Sequence, residues 1–127
     1  MAYLKPPWFT RTVFNKIAVA TGMSNTEKLT VTRRRSKQRQ EVPVIPVDVG
    51  GTKYVVSTRG EAEWVKNVRA DPNVKLGDTK YVATEVPVER RGPIIAAYRP
   101  LAGKVVEGYW KQLPSDADHP TFALAPA

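Results

Sequence analysis

The chain has 127 residues, 42% of them hydrophobic and 25% charged, a balance that excludes wholesale disorder and is enough for one buried core. It has no cysteine and a single histidine, His119, which excludes disulfides, thiolate metal sites, cysteine nucleophiles and any metal site built on several imidazoles. The net charge of +8 calls for a negative partner, and nucleic acid, anionic lipid and a phosphate-bearing small molecule all satisfy that sign.

The first residues lack the basic start and long apolar centre of a signal peptide, and no apolar run approaches the roughly 20 residues that cross a bilayer. The expectation is one cytoplasmic domain spanning 1–127. Pro6 and Pro7 open a helical pattern at about 7–22, with Phe9, Val13, Ile17 and Ala20 on one stripe, Trp8 and Phe14 widening it, and Gly22 as its stop. Such a stripe suits padding the end of a barrel, peripheral contact with a membrane surface, or a partner.

From Lys28 the period becomes two. Leu29 and Val31 alternate with threonines and lead into the run Arg33-Arg34-Arg35-Ser36-Lys37-Gln38-Arg39. Residues 41–49 read as another strand, and Pro43 and Pro46 make it an edge or a bulged strand, because proline removes ladder donors. Gly50-Gly51 signals a hairpin, with the chain returning over 52–57 through Tyr54, Val55 and Val56. After Thr58-Arg59-Gly60 a short helix places Trp64, Val65 and Val68 inward and leaves Glu61, Lys66 and Arg69 for water.

Segments 74–76 and 80–88 form a second hairpin around Gly77-Asp78. Gly92-Pro93 opens a helix carrying Ile94, Ile95 and Tyr98; Pro100 is expected to break it before a segment carrying Leu101, Val105, Tyr109 and Leu113. An acidic turn at 115–118 and a terminal strand at 121–124 complete the chain. The order is that of an α+β domain built on a small antiparallel barrel with flanking helices.

Acid, base and metal hydrolysis find no support: His119 stands alone before the last strand, where a structural role suits it, and the carboxylates are scattered. No Gly-rich phosphate loop is present. Redox chemistry carried by a bound cofactor needs none of these groups. The basic run has five cations in seven positions and combines arginine forks with a serine hydroxyl, a donor set suited to phosphate. Ser57-Thr58-Arg59-Gly60 is a strand-to-helix turn where free amides, a helix dipole and Arg59 would favour an anion, with Trp64 and Asn67 on the following helix.

The series Arg34-Arg35-Ser36, Pro43, Tyr54-Val55-Val56-Ser57, Arg59-Gly60 and Trp64-Val65-Lys66-Asn67-Val68-Arg69-Ala70 resembles the deazaflavin-dependent nitroreductase family, related to the FMN-binding split β-barrels. So do Ala83-Thr84-Glu85-Val86-Pro87-Val88, Ile94-Ile95-Ala96-Ala97-Tyr98 and Asp118-His119-Pro120-Thr121-Phe122, so that the likeness runs from about residue 8 to 124. Where the family usually has glycines flanking the Arg-Arg-Ser element, this chain has Arg33 and Lys37.

The resemblance implies a split barrel that binds the 8-hydroxy-5-deazaflavin coenzyme, coenzyme F-420, whose tail carries a phosphate and a polyglutamate chain. It implies tail contacts at Arg34, Arg35 and Ser36, and a strand beside the ring at Val42, Pro43 and Val44. Ring or phosphate contacts would come from Ser57, Thr58, Arg59, Gly60, Trp64 and Asn67. A hydride would pass to a quinone, nitro compound or activated alkene, with Tyr98 and Tyr109 as candidates on the acceptor side, in a homodimer that binds no nucleic acid. Two alternatives use the same fold, a non-catalytic carrier and a barrel holding FMN. A third is a nucleic-acid-binding barrel.

Overall fold

The computed structural model describes residues 26–127, apart from the side chains of Lys104 and Val105. The helix expected at about 7–22, with its padding or membrane-contacting stripe, lies outside the described residues.

Seven strands are laid down in chain order: β1 (Glu27–Thr32), β2 (Arg39–Val44), β3 (Val47–Val49), β4 (Thr52–Val56), β5 (Asn73–Leu76), β6 (Thr79–Glu85) and β7 (Thr121–Pro126). They form one antiparallel sheet in the order β2-β1-β5-β6-β7-β4-β3. The run expected as one strand at 41–49 is therefore two strands, and they occupy opposite edges of the sheet. Both prolines do fall at edges, where a missing ladder donor is tolerated: Pro43 lies in β2 and Pro46 in the connection to β3.

That connection fixes the architecture. Laid flat, seven strands would hold their outer pair about 29 Å apart, given roughly 4.8 Å between neighbours. Ile45 and Pro46 alone join β2 to β3, and so short a link spans only about 11 Å. The sheet must therefore curl until its edges nearly meet, which makes it a split barrel. Gly50 and Gly51, at φ +59 and +85, turn β3 into β4 as the Gly-Gly pair requires.

The curled sheet is buried along its inner face and, around β3, β4 and β7, on its outer face as well. Inside, Leu29, Val31, Val42, Val44, Val55, Val74, Leu76, Phe122 and Leu124 form one core cluster. Helix α1 (Glu63–Ala70) closes it with Trp64, Val65 and Val68, and the Trp64 ring lies 5.8 Å from that of Phe122. Outside, helix α2 (Gly92–Ala102) packs on β3 and β4, and helix α3 (Lys104–Gln112) packs against α2. There Ile94, Ile95, Tyr98, Val106 and Trp110 form one buried cluster with Ile45, Val47 and Val56. Alternation along β4 explains its Val55-Val56 pair, since one side chain serves each cluster.

Several expectations are corrected. Helix α2 does not break at Pro100; it runs on to Ala102, and Gly103 at φ +81 ends it, because the left-handed residue stops the helix more effectively than a proline in its last turn. Moving the break resets the phase of α3. Val106, Trp110 and Leu113 are buried, whereas Leu101 is exposed and Tyr109 only half-buried; the Val105 side chain is outside the described set. Strand β6 stops at Glu85 before Pro87 rather than reaching Val88, and β7 is an interior strand between β6 and β4. Glu61 and Arg69 do not simply face water. Arg69 bonds both Glu61 and Glu85, and Arg91, 5% exposed, bonds Glu85 and the Val86 carbonyl.

Candidate cofactor cleft

Ser57, Thr58, Arg59 and Gly60 carry the chain from β4 toward α1. Ser57 is fully buried and pinned at both its backbone groups and its side chain. Its amide donates to the Pro120 carbonyl at 2.8 Å, its hydroxyl donates to the Gly60 carbonyl at 2.6 Å, and its carbonyl lies 2.9 Å from Nδ1 of His119. The other ring nitrogen of His119 sits 2.6 Å from the Leu113 carbonyl, and the ring stacks on Trp110 at 3.8 Å. His119 is thus a buried strut beneath this turn.

The turn forms one wall of a cleft, and Val42, Pro43, Val44 and Ile45, at the end of β2, form the other. Trp64 from α1 and Tyr98 from α2 complete the lining, together with Val56. The enclosed space is small, about 30 Å³, room for about one water. Two polar groups bear on its chemistry. Nη1 of Arg59 is buried and has no hydrogen-bond partner among the described residues, a costly state for a guanidinium unless an incoming acceptor completes it. The Tyr98 hydroxyl has its pKa pushed well up by burial and stays a neutral donor.

On the other flank of α1 lies a more open groove of about 230 Å³, lined by Arg33, Arg34, Arg35, Ser36, Glu63 and Asn67. Asn67, 3% exposed, organises it. Its Oδ1 accepts from the Arg34 amide at 3.2 Å and from Arg34 Nη1 at 2.7 Å, while its Nδ2 donates to Gln40 Oε1 at 2.7 Å. Arg34 Nη2 also donates to Glu63 at 3.0 Å, and that hydrogen bond is the main reason the Glu63 carboxyl sits below its ordinary pKa. One short helix therefore supplies Trp64 to the cleft and Glu63 and Asn67 to the groove.

The structure brings Val42, Pro43, Val44, Ser57, Thr58, Arg59 and Trp64 together around one cleft with Tyr98, and gathers Arg34, Arg35 and Ser36 with Asn67 in the groove beside it. Gly60, at φ +84, ends the turn without lining the cleft, and Tyr109 packs against the outer cluster instead. The helix-dipole argument for the turn is also corrected. Helix α1 begins only at Glu63, with Ala62 as an N-cap that makes no side-chain bond, and an acid fills its first turn, so the charge of Arg59 carries the attraction. Ile45, Val56, Gln40 and Glu63 were missed. Gln40 was within reach, since period two puts it on the same face as Val42 and Val44.

A curled antiparallel sheet with a walled cleft at the end of β2 and a cationic hairpin beside it defines a split barrel with room for a ligand at its closing edge. The family model for F420H(2)-dependent quinone reductase matches residues 8–119, and the chain belongs to that family. Its cofactor is coenzyme F-420, and membership sets it among enzymes. A solved F420-H2 dependent reductase (FDR-A) is similar at 24% identity and a TM-score of 0.55, over 80% of this chain and 95% of that one. A structure described as a domain-swapped dimer is similar at 23% identity and 0.58, over 91% and 92%. HutZ, the heme storage protein from Vibrio cholerae, shares the fold at 17% identity and 0.63, over 89% of each chain. No curated protein is similar enough to match.

Proposed function

We propose that this reductase passes a hydride from reduced coenzyme F-420 to a quinone, with the ring along the cleft mouth and the anionic tail on the β1–β2 hairpin. The single observation that carries this reading is Arg59, which lines that cleft and whose Nη1 is a buried donor with no acceptor among the described residues. When bound, the reduced coenzyme supplies the hydride, and the chain's own task is alignment and exclusion of water. Val42, Pro43, Val44 and Ile45 give an apolar wall against one side of a flat ring. Ser57, held by Pro120, Gly60 and His119, fixes the opposite wall, and Arg59 offers charge-assisted donation to an anionic oxygen. Tyr98 keeps its proton and can donate a hydrogen bond from the inner end. Arg35 and Ser36 stand toward the tail.

A cleft of about 30 Å³ leaves the acceptor's side to be built by something besides residues 26–127. A second copy of the chain would supply it, and the domain-swapped dimer among the similar structures supports a homodimer. Turnover tests the function: the pure protein should oxidise the reduced coenzyme with menadione, faster than with a nitroaromatic. Absence of turnover with every quinone tried would sink the reading.

A further inference from the structure

His119 is the only histidine in the chain, and it is fully buried, at 0% exposure. Each of its ring nitrogens faces a backbone carbonyl. Nδ1 lies 2.9 Å from the Ser57 oxygen and Nε2 lies 2.6 Å from the Leu113 oxygen, and a carbonyl oxygen can only accept. A neutral imidazole donates from one nitrogen alone, so it would press the other nitrogen's lone pair against an oxygen. Turning the ring over gives no relief, because carbon would then stand where both nitrogens bond. Only the doubly protonated ring satisfies both contacts. Burying that charge is costly unless polar groups replace the water around it. Here the Leu113 carbonyl belongs to the C-cap of α3, the negative end of that helix, and the Trp110 ring stacks on the imidazole at 3.8 Å. The other charges on the surrounding elements are Arg59 in the cleft turn, Arg91 and Arg99 at and within α2, Glu107 and Lys111 in α3, and Asp116 and Asp118 in the turn before His119. Arg91 pairs with Glu85 and Arg99 with Glu107, and among the described residues no carboxylate bonds either ring nitrogen.

We propose that His119 is a positioning residue whose imidazolium form braces the cleft lining from behind at two points. It holds Ser57 directly, through the carbonyl. It holds Tyr98 through Trp110, whose ring lies 5.9 Å from that of Tyr98. The two hydrogen bonds are unequal. Nε2 has the shorter one, at the helix end, and keeps its proton when the ring is neutral. Nδ1 is then bare, and the Ser57 carbonyl is repelled by its lone pair. The wall is therefore braced while the ring carries both protons and slackens when it carries one. The bracing concerns the wall itself; its consequence for binding rests on the coenzyme reading above.

The test follows the lone imidazole by NMR in untagged, nitrogen-labelled wild type from about pH 5 to 8, the range in which histidine changes charge. The backbone amides of Thr58, Arg59 and Gly60 are read in the same samples. Both ring nitrogens should be protonated at the acid end, Nδ1 should lose its proton first, and the three amides should shift with the same midpoint. Affinity for coenzyme F-420 should fall about tenfold across that midpoint, the size of one hydrogen bond to a charged group. His119→Gln has no titrating proton there, so it should bind weakly throughout, without a step. A ring that keeps both protons over the whole range supports the charged brace. A ring that carries one proton over the whole range overturns it, as does a titration that leaves the three amides unmoved, or a His119→Gln variant that binds as wild type does. The wild-type titration stands by itself where that variant fails to fold. If the coenzyme binds at no pH, the coenzyme reading fails, and the ring and amide titrations decide the brace without it.

Discussion

The cleft and the basic hairpin share helix α1 yet are built on opposite principles. The cleft's walls are core residues: Val42, Val44, Ser57, Trp64 and Tyr98 are each between 1% and 7% exposed, so a ligand seated there would draw on the same side chains as the fold. The hairpin is solvated, with Arg33, Arg35, Ser36, Lys37, Gln38 and Arg39 all exposed, and it is tied to the body chiefly through one buried amide, Asn67. The difference teaches where each kind of selectivity can change. On the proposed binding mode, ring recognition could not drift without repacking the core, whereas tail recognition could be retuned one surface residue at a time.

Substitutions should separate the two regions. The largest effect belongs to Trp64→Ala, which empties a site against Phe122 and should cost about 3–5 kcal/mol in urea unfolding. A loss under about 1 kcal/mol would show that the cleft wall is not core. Asn67→Ala should come next, at about 1–3 kcal/mol, because it strands the Arg34 amide and the Gln40 side chain. Its signature is hydrogen exchange: the Arg34 amide should speed up while the amides of β7 stay protected, and equal acceleration everywhere would erase the distinction between latch and core.

Arg59→Met should leave folding unchanged or slightly firmer, since it removes a buried donor that lacks an acceptor, while weakening coenzyme binding by about tenfold. Binding at wild-type strength would remove Arg59 from the site. The smallest effect is acid sensitivity. The Glu61 carboxyl is held below its ordinary value of 4.5 by its hydrogen bond to Arg69, and a depressed carboxylate adds stability that is present above that value and lost as pH falls through the lower, folded one. Urea midpoints should therefore be flat from neutrality down to about 4.5 and fall below it, and Glu61→Gln should flatten that fall.

Much of this was legible because local rules and the final fold agree. Period two marked β1, the Gly50-Gly51 pair marked the hairpin that returns through β4, and helical spacing marked the inward face of α1. The proline-marked edge was legible too, but not that its two halves stand at opposite edges, since that is a property of sheet closure rather than of any window of residues. The break at Gly103 lost out to the more familiar signal of Pro100, and with it went Trp110, whose stacking on His119 no spacing announces. Around the cleft and groove, the sequence groups residues that lie near one another in the chain, while Asn67's grip on Arg34 joins residues 33 positions apart. Lys37 was legible as charge; its left-handed backbone was not.

The central claim is that the cleft takes a deazaflavin ring and the hairpin its tail. Titrating the purified protein into coenzyme F-420 and following the coenzyme's fluorescence tests it most directly, with FMN as the competitor. Saturable quenching at micromolar concentrations that FMN fails to displace is expected; an unchanged signal, or full displacement by FMN, would contradict it.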